Sequence, residues 1–376
     1  MTAPRRPILI VAALLLAGFL WAADKAIAAN GPARRVPLID CTDLYHPHQD
    51  PGDNLDLVAP YALPEIDLKA VILDVTQQYR TEGGRRDAGF VPVLQLNSIF
   101  NRNVPCGVTP YAKMKSPDDP MLGAPRFQQS GVELLLKILR EASEPVEIAS
   151  FGSVRAIALA YNREPDLLKK RVKRIHVSAG ASELGYLEWN VVLDPQALVR
   201  LLRSDLPIAI YPCATKEGPF AYGPHNSFWQ LNNLKFIEKV QPPLRAYLAF
   251  AFSQSNRMDF LQAMEEAPPP AVLGEIGKRT HRVWETAVWI EMAHRRLVRR
   301  ADGHFRIIPA GEVKPGDTVL PNELRPVRIT VRDDGQFTWE PTAGSTNFWM
   351  YDRGDPRRNE EALREALPAL YESFRP

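Results

Sequence analysis

The sequence predicts an α/β protein built on a doubly wound, mostly parallel open sheet, with a helical cap and a small C-terminal β-hairpin. Three observations lead there. Apolar, β-rich runs of strand length recur, helical stretches with one apolar face separate them, and a turn-centred alternation stands near the end of the chain.

The strands are expected at residues 36–40, 69–75, 91–95, 146–151, 174–179 and 207–213, each a continuous apolar run of the kind buried on both faces of a parallel sheet. Between them, residues 131–142 place Leu134, Leu135, Ile138 and Leu139 on one helical face. Asp194 with Pro195 reads as an N-cap followed by proline at the first helical position, ahead of a helix over 197–202. After Cys213 a Gly/Pro-rich loop runs to Pro224. Helical text over 227–262 and 280–299, interrupted by Pro268, Pro269 and Pro270, is expected to cap the strand ends. Val327, Ile329 and Val331 then alternate into Asp333-Asp334-Gly335 and return through Phe337 and Trp339, a hairpin signal, and a last helix is expected over 358–373.

The chain has 376 residues, 45% hydrophobic and 24% charged, enough to bury a full core without staples. Its 46 basic and 44 acidic residues nearly cancel, and no basic arm with interleaved aromatics occurs, so nucleic acid is not an expected partner. Cys41, Cys106 and Cys213 are an odd number without metal-ligand spacing. No glycine-rich phosphate loop follows a strand.

Arg5 and Arg6 precede an apolar run over 8–23 and a small-residue stretch, Ala26-Ile27-Ala28-Ala29. Residues 1–29 therefore read as a secretory signal peptide, giving a periplasmic or extracellular protein with no membrane contact after cleavage. An uncleaved anchor is the alternative, although the run is short of the ~20 residues of a spanning helix. Amino-terminal sequencing of exported protein is expected to begin at Ala29 or Asn30; Met1 retained in a membrane fraction would mean an anchor.

The densest acidic text follows the first strand: Asp40-Cys41-Thr42-Asp43, then Asp50-Pro51-Gly52-Asp53-Asn54-Leu55-Asp56. Carboxylates gathered at the carboxyl end of a parallel strand repel one another unless a hard cation sits among them, and calcium takes several such oxygens. The alternative is a solvated acidic turn whose aspartates cap local backbone. Further along come Glu164-Pro165-Asp166-Leu167, the strand and glycine turn from Arg174 to Ala181, and Glu188-Trp189-Asn190-Val191-Val192-Leu193-Asp194-Pro195.

Taken in order over residues 36–300, these passages resemble the inosine-uridine nucleoside hydrolase family. The resemblance implies hydrolysis of an N-ribosidic bond in a nucleoside or other ribosyl substrate, with a calcium ion as cofactor. It implies metal ligation by Asp43, Asp53, Glu285 and a main-chain carbonyl near Phe151, with Asp50 or Asp56 assisting and the register between them open. It implies Asp43 or Asp53 as the base that takes a proton from water, and Glu188 with Asn190 as the ribose-binding pair. A carboxylate and an amide two residues apart suit a vicinal diol, and both are expected to face an open crevice. His225, Trp229 and Trp284 are the remaining candidate substrate contacts, the aromatic ones as stacking surfaces.

Trp284-Glu285 stands where the family has His-Asp, so the indole replaces an acid near the leaving base. This keeps a second function open: a non-catalytic or repurposed ribosyl- or sugar-binding protein on the same scaffold. The expected organisation is a family domain over 36–300, with the hairpin and helix of 301–376 on the same core and homo-oligomerisation left open. His281, His294 and His304 lie in charged text and are expected to be solvated, whereas His176 is expected to be satisfied within its strand.

Overall fold

Strand residues point alternately to the two faces of a sheet, so the paired runs in the first half of the chain need helices on both sides. A computed structural model of the chain describes residues 35–80 and 86–376 and has this arrangement. The expected signal peptide, residues 1–29, lies outside the described residues. No helix among the described residues is long and apolar enough to cross a membrane.

The main sheet has nine strands: β1 Val36–Thr42, β2 Ile66–Leu73, β3 Cys106–Val108, β4 Val146–Phe151, β5 Val172–Val177, β6 Ile208–Ile210, β7 Glu323–Val331, β8 Phe337–Pro341 and β9 Phe348–Asp352. Their order is β8-β7-β9-β6-β5-β4-β1-β2-β3. All neighbours are parallel except β7, which runs antiparallel to both β8 and β9. From β1 the chain builds outward through β2 and β3, then returns to the other side at β4. The switch point therefore lies between β1 and β4, where Thr42 is paired with Phe151, and ligands of open α/β sheets bind outside the carboxyl ends at such a point.

In chain order the helices are α1 Pro51–Ala62, α2 Phe90–Ile99, α3 Ser130–Glu141, α4 Arg155–Arg163, α5 Pro165–Arg171, α6 Trp189–Leu193, α7 Pro195–Leu202, α8 Pro242–Phe252, α9 Pro270–Gly277, α10 Thr286–Met292 and α11 Pro356–Ser373. Apolar residues of α3, α4 and α7 pack with Ile39, Ile72 and Ile148 on one face of the sheet. Those of α1, α2, α8, α10 and α11 pack with Leu38, Val71 and Leu73 on the other. Asp194 caps α7 as expected, accepting from Ala197 N at 3.2 Å, with Pro195 at the first helical position. His176 is satisfied within β5, 2.8 Å from a Glu147 oxygen and 3.1 Å from the Tyr211 hydroxyl.

Several elements depart from expectation. The run 91–95 is not a strand but part of α2, where Val93 and Leu96 are buried while Leu94 is 44% exposed. A five-residue apolar run fits either element, and only its flanks decide. The stretches 227–262 and 280–299 are not continuous helices. Trp229–Leu231 and His281–Val283 pair as antiparallel strands, and Arg295–Arg299 is a strand as well. His281 is consequently buried instead of solvated. The expected hairpin is present as β7 and β8, and the unanticipated strand β9 inserts between β7 and β6, joining the hairpin to the parallel sheet.

Candidate functional site

β1 carries its chain directly into the switch point, so Asp43 emerges at the carboxyl end of the sheet and is buried. α1 then starts with Asp50 as its cap, whose Oδ1 accepts from Gly52 N at 2.7 Å, and this orients Asp53 in the first turn and Asp56 one turn on. Glu285 reaches the same region as the residue before α10. Asp40 and Asp74 add two more buried carboxylates, Asp74 immediately after β2. Asp53 and Glu285 keep part of their surface open to solvent. Gly152, after β4, permits the close approach: a Cβ placed there would lie 2.9 Å from Asp43 Cβ and 3.2 Å from Asp74 Oδ2.

These carboxyl groups perturb one another. Burial pushes Asp40 up to about 8. Asp43 is pushed well above the usual carboxylate range by burial, then by Asp74, Asp50 and Glu285. Asp53 is raised by burial, then by Asp43, Asp50 and Glu285. Burial and Glu285 raise Asp56, whereas Glu285 is raised by burial and partly relieved by its hydrogen bond with Asp56.

The set fits a hard divalent cation by donor chemistry. It is oxygen-only and strongly negative, and the buried oxygens Asp40 Oδ1, Asp56 Oδ2 and Asp74 Oδ2 have no hydrogen-bond partner. Among the described residues, no three histidine, cysteine or carboxylate side chains form a ready-made metal cage.

The Glu188–Asn190 pair lies at the carboxyl end of β5. Glu188 is the cap of α6 and is buried: its Oε2 accepts from Gly180 N at 2.8 Å and both oxygens lie 3.1 Å from Asn190 N. Asn190 Nδ2 donates to Ser178 O at 2.8 Å. The expectation of a pair directed wholly into an open crevice therefore needs correcting, because the Glu188 carboxylate is engaged by backbone donors. Burial pushes it up to about 7, against the lowering effect of those donors. Replacing Glu188 with alanine is accordingly expected to lower stability by about 1 kcal/mol, the usual cost of a lost cap, and an unchanged unfolding midpoint would argue against it. Cys213, after β6, links the two halves of the site: burial, then Glu188 and Glu285, push its thiol well up.

The other candidates divide. Trp284 is half-buried, donates from Nε1 to Cys213 O at 2.9 Å, and lies with Phe220 and Phe228 in an aromatic wall, with centroids 6.1 and 5.4 Å away. Trp229 is fully buried and its Nε1 donates to Thr286 Oγ1 at 3.2 Å, so it presents no face for stacking and belongs to the core. His225 faces the C-terminal hairpin, with Nδ1 3.0 Å from Tyr351 O and its ring edge-on to Trp339.

Sequence reasoning placed Asp40 in the acidic text without giving it a role, and passed over Asp74 and Arg155 as site residues. Asp74 lies inside the apolar run expected as a strand over 69–75, although its position directly after Leu73 carries the same end-of-strand signal as Asp43. Arg155 is buried in the first turn of α4 and pairs with Asp74 at 2.9 Å and Asp194 at 3.4 Å.

Comparison with known proteins bears on this geometry. Residues 93–342, more than half of the chain, match the sequence model described as "Inosine-uridine preferring nucleoside hydrolase". The pyrimidine-specific ribonucleoside hydrolase RihA of Escherichia coli is 31% identical over 196 residues, covering 46% of this chain and 58% of the relative, less than two thirds of its length. Among solved structures, a plant nucleoside hydrolase, PpNRh1, is similar in fold, with a TM-score of 0.51, 14% identity, and coverage of 90% of this chain and 100% of that one. The effector protein XOO4466 is similar at a TM-score of 0.50 and 12% identity, covering 94% and 97%. The family match begins at residue 93, beyond the Asp-rich turn, and takes in α3 to α10 and the sheet from β3 to β8. By that match, this chain belongs to the inosine-uridine preferring nucleoside hydrolase family.

Proposed function

We propose that the chain hydrolyses the N-ribosidic bond of a nucleoside or related ribosyl compound with the help of a bound calcium-class cation. The observation that carries this is the gathering of Asp40, Asp43 and Asp56, all buried, with the half-buried Asp53 and Glu285 at the switch point of a sheet of this family. Asp43, Asp53 and Glu285 would hold the cation, with Asp50 or Asp56 and the Phe151 carbonyl assisting. When bound, it would orient a water and lower its pKa.

Asp43 or Asp53 would be the residue to accept a proton from the attacking water. Without a cation, burial and then the neighbouring carboxylates raise both groups. Glu188 and Asn190 hold the sugar side, where the Glu188 carboxylate stabilises the positive charge developing on the ribosyl ring. Trp284, with Phe220 and Phe228, supplies an aromatic surface for the leaving base.

One observation favours a second reading, a ribosyl-binding protein without turnover: the Trp284 indole is committed to the Cys213 carbonyl, and it replaces the acid that would assist the leaving base. Incubating the protein with calcium and a panel of nucleosides separates the two. Calcium-dependent release of free ribose, abolished by Asp43→Asn, supports hydrolysis; tight saturable binding without ribose release would overturn it in favour of binding. Export through residues 1–29 belongs to the proposal and would place the activity outside the cytoplasm.

A further inference from the structure

Asp74 is fully buried directly after β2, and its two oxygens have unequal surroundings. Oδ1 accepts from Arg155 Nη2 and from Thr109 Oγ1, each at 2.9 Å, whereas Oδ2 has no partner. Oδ2 faces Gly152, where a built Cβ would lie 3.2 Å from it and 2.9 Å from Asp43 Cβ, and the Asp74 charge is close enough to Asp43 to raise that carboxyl. The guanidinium cannot turn to relieve Oδ2. Its Nη2 also donates to Val75 O at 3.2 Å, and its Nη1 donates to Ala112 O at 3.3 Å and Asp194 Oδ2 at 3.4 Å.

A buried carboxylate oxygen without a partner is costly, and an adjacent second carboxylate rules out an anion as the missing partner. A water would satisfy Oδ2 but would leave the charge of Asp43 beside it uncompensated. A hard cation answers both. We propose that Asp74 is a further direct donor to the divalent cation, presenting Oδ2 beside Gly152 while Arg155 and Thr109 fix Oδ1 and so aim the group. This rests on the cation reading above, and adds to it a donor from the end of the second strand with a two-sided clamp behind it.

The clamp makes Asp74→Asn a sharp test. Arg155 and Thr109 both donate, so they retain the amide oxygen of the variant and turn its NH2 toward the cation, replacing an oxygen donor with a repelling one. Terbium(III), which takes oxygen ligands, is the probe, read by titrated luminescence and by the number of bound waters from lifetimes in H2O and D2O. Asp74→Asn is expected to weaken terbium binding by about a hundredfold and to add about one water to the bound ion; Thr109→Val, which removes half of the clamp without burying a charge, is expected to cost about tenfold.

Unchanged affinity in Asp74→Asn overturns the proposal. Weaker binding with an unchanged water count also overturns it, since Asp74 would then act only as a distant charge. Should Asp74→Asn fail to fold, Thr109→Val decides: affinity equal to wild type overturns the assignment. A wild-type protein that binds neither terbium nor calcium overturns the cation reading together with this one, whereas wild-type binding with an indifferent Asp74→Asn overturns this one alone.

Discussion

Replacing Arg155 with methionine is expected to destabilise the fold by about 3–5 kcal/mol at neutral pH, the cost of removing one partner from a buried ion pair. Methionine keeps the apolar stem, so the loss is that of the guanidinium: its ion pairs, its hydrogen bonds to Val75 O and Ala112 O, and the buried space it fills. Asp74 bears most of it. Asp194 retains backbone donors from Met114 at 2.9 Å and Ala197 at 3.2 Å, and burial raises it even with Arg155 present, so the 3.4 Å contact is the weaker arm of the bridge. The guanidinium is nonetheless held charged, since the attraction of Asp74 and Asp194 outweighs its desolvation. Urea unfolding measures the effect. A variant within about 1 kcal/mol of wild type would show that the bridge contributes little net stability, as some buried pairs do.

Without divalent cations, stability is expected to fall as pH rises from about 4 to about 8, and calcium is expected to oppose the fall. The sign follows from Asp40, which burial takes from an ordinary 3.8 to about 8. A group whose folded pKa is raised binds more protons in the folded state. Its contribution is complete below the unfolded value and is lost as pH rises through the folded one, at most on the order of 5 kcal/mol for Asp40. Asp43, Asp53 and Asp56 are raised as well and act in the same direction. A cation among them stabilises the ionised forms, adding about 2.7 kcal/mol at a hundredfold excess over its Kd, and adding more as pH rises. Thermal melts in EDTA and in calcium at about pH 5 and about pH 8 test this. A calcium increment that is absent, or larger at the lower pH, would oppose the assignment.

Much of the parallel sheet was legible because its strands are long apolar runs closed by polar ends, and 146–151 coincides with β4 Val146–Phe151. The hairpin was legible through Asp333-Asp334-Gly335, whose glycine adopts φ 87°, the left-handed region such a turn requires. Short elements were not. β3 has three residues, too few for any period to register, and the pairing of Trp229–Leu231 with His281–Val283 joins segments fifty residues apart. Local text there reads as helix because pairing across that distance leaves no local mark.

For the site, the sequence by itself determined the Asp-rich turn and the Glu188–Asn190 segment, since each is a local cluster of residue types whose chemistry shows without coordinates. Only the tertiary structure decided that Asp74 joins the turn and Glu285 at one switch point, that Arg155 braces Asp74, that Glu188 is engaged by the backbone of Gly180, and that Trp229 is core. Each of these depends on strand order and burial. Parallel neighbours in this sheet are separated by crossovers, so residues meeting at its carboxyl edge come from distant parts of the chain, and the electrostatics that distinguish a cation site from a solvated acidic turn exist only once the fold has removed the water.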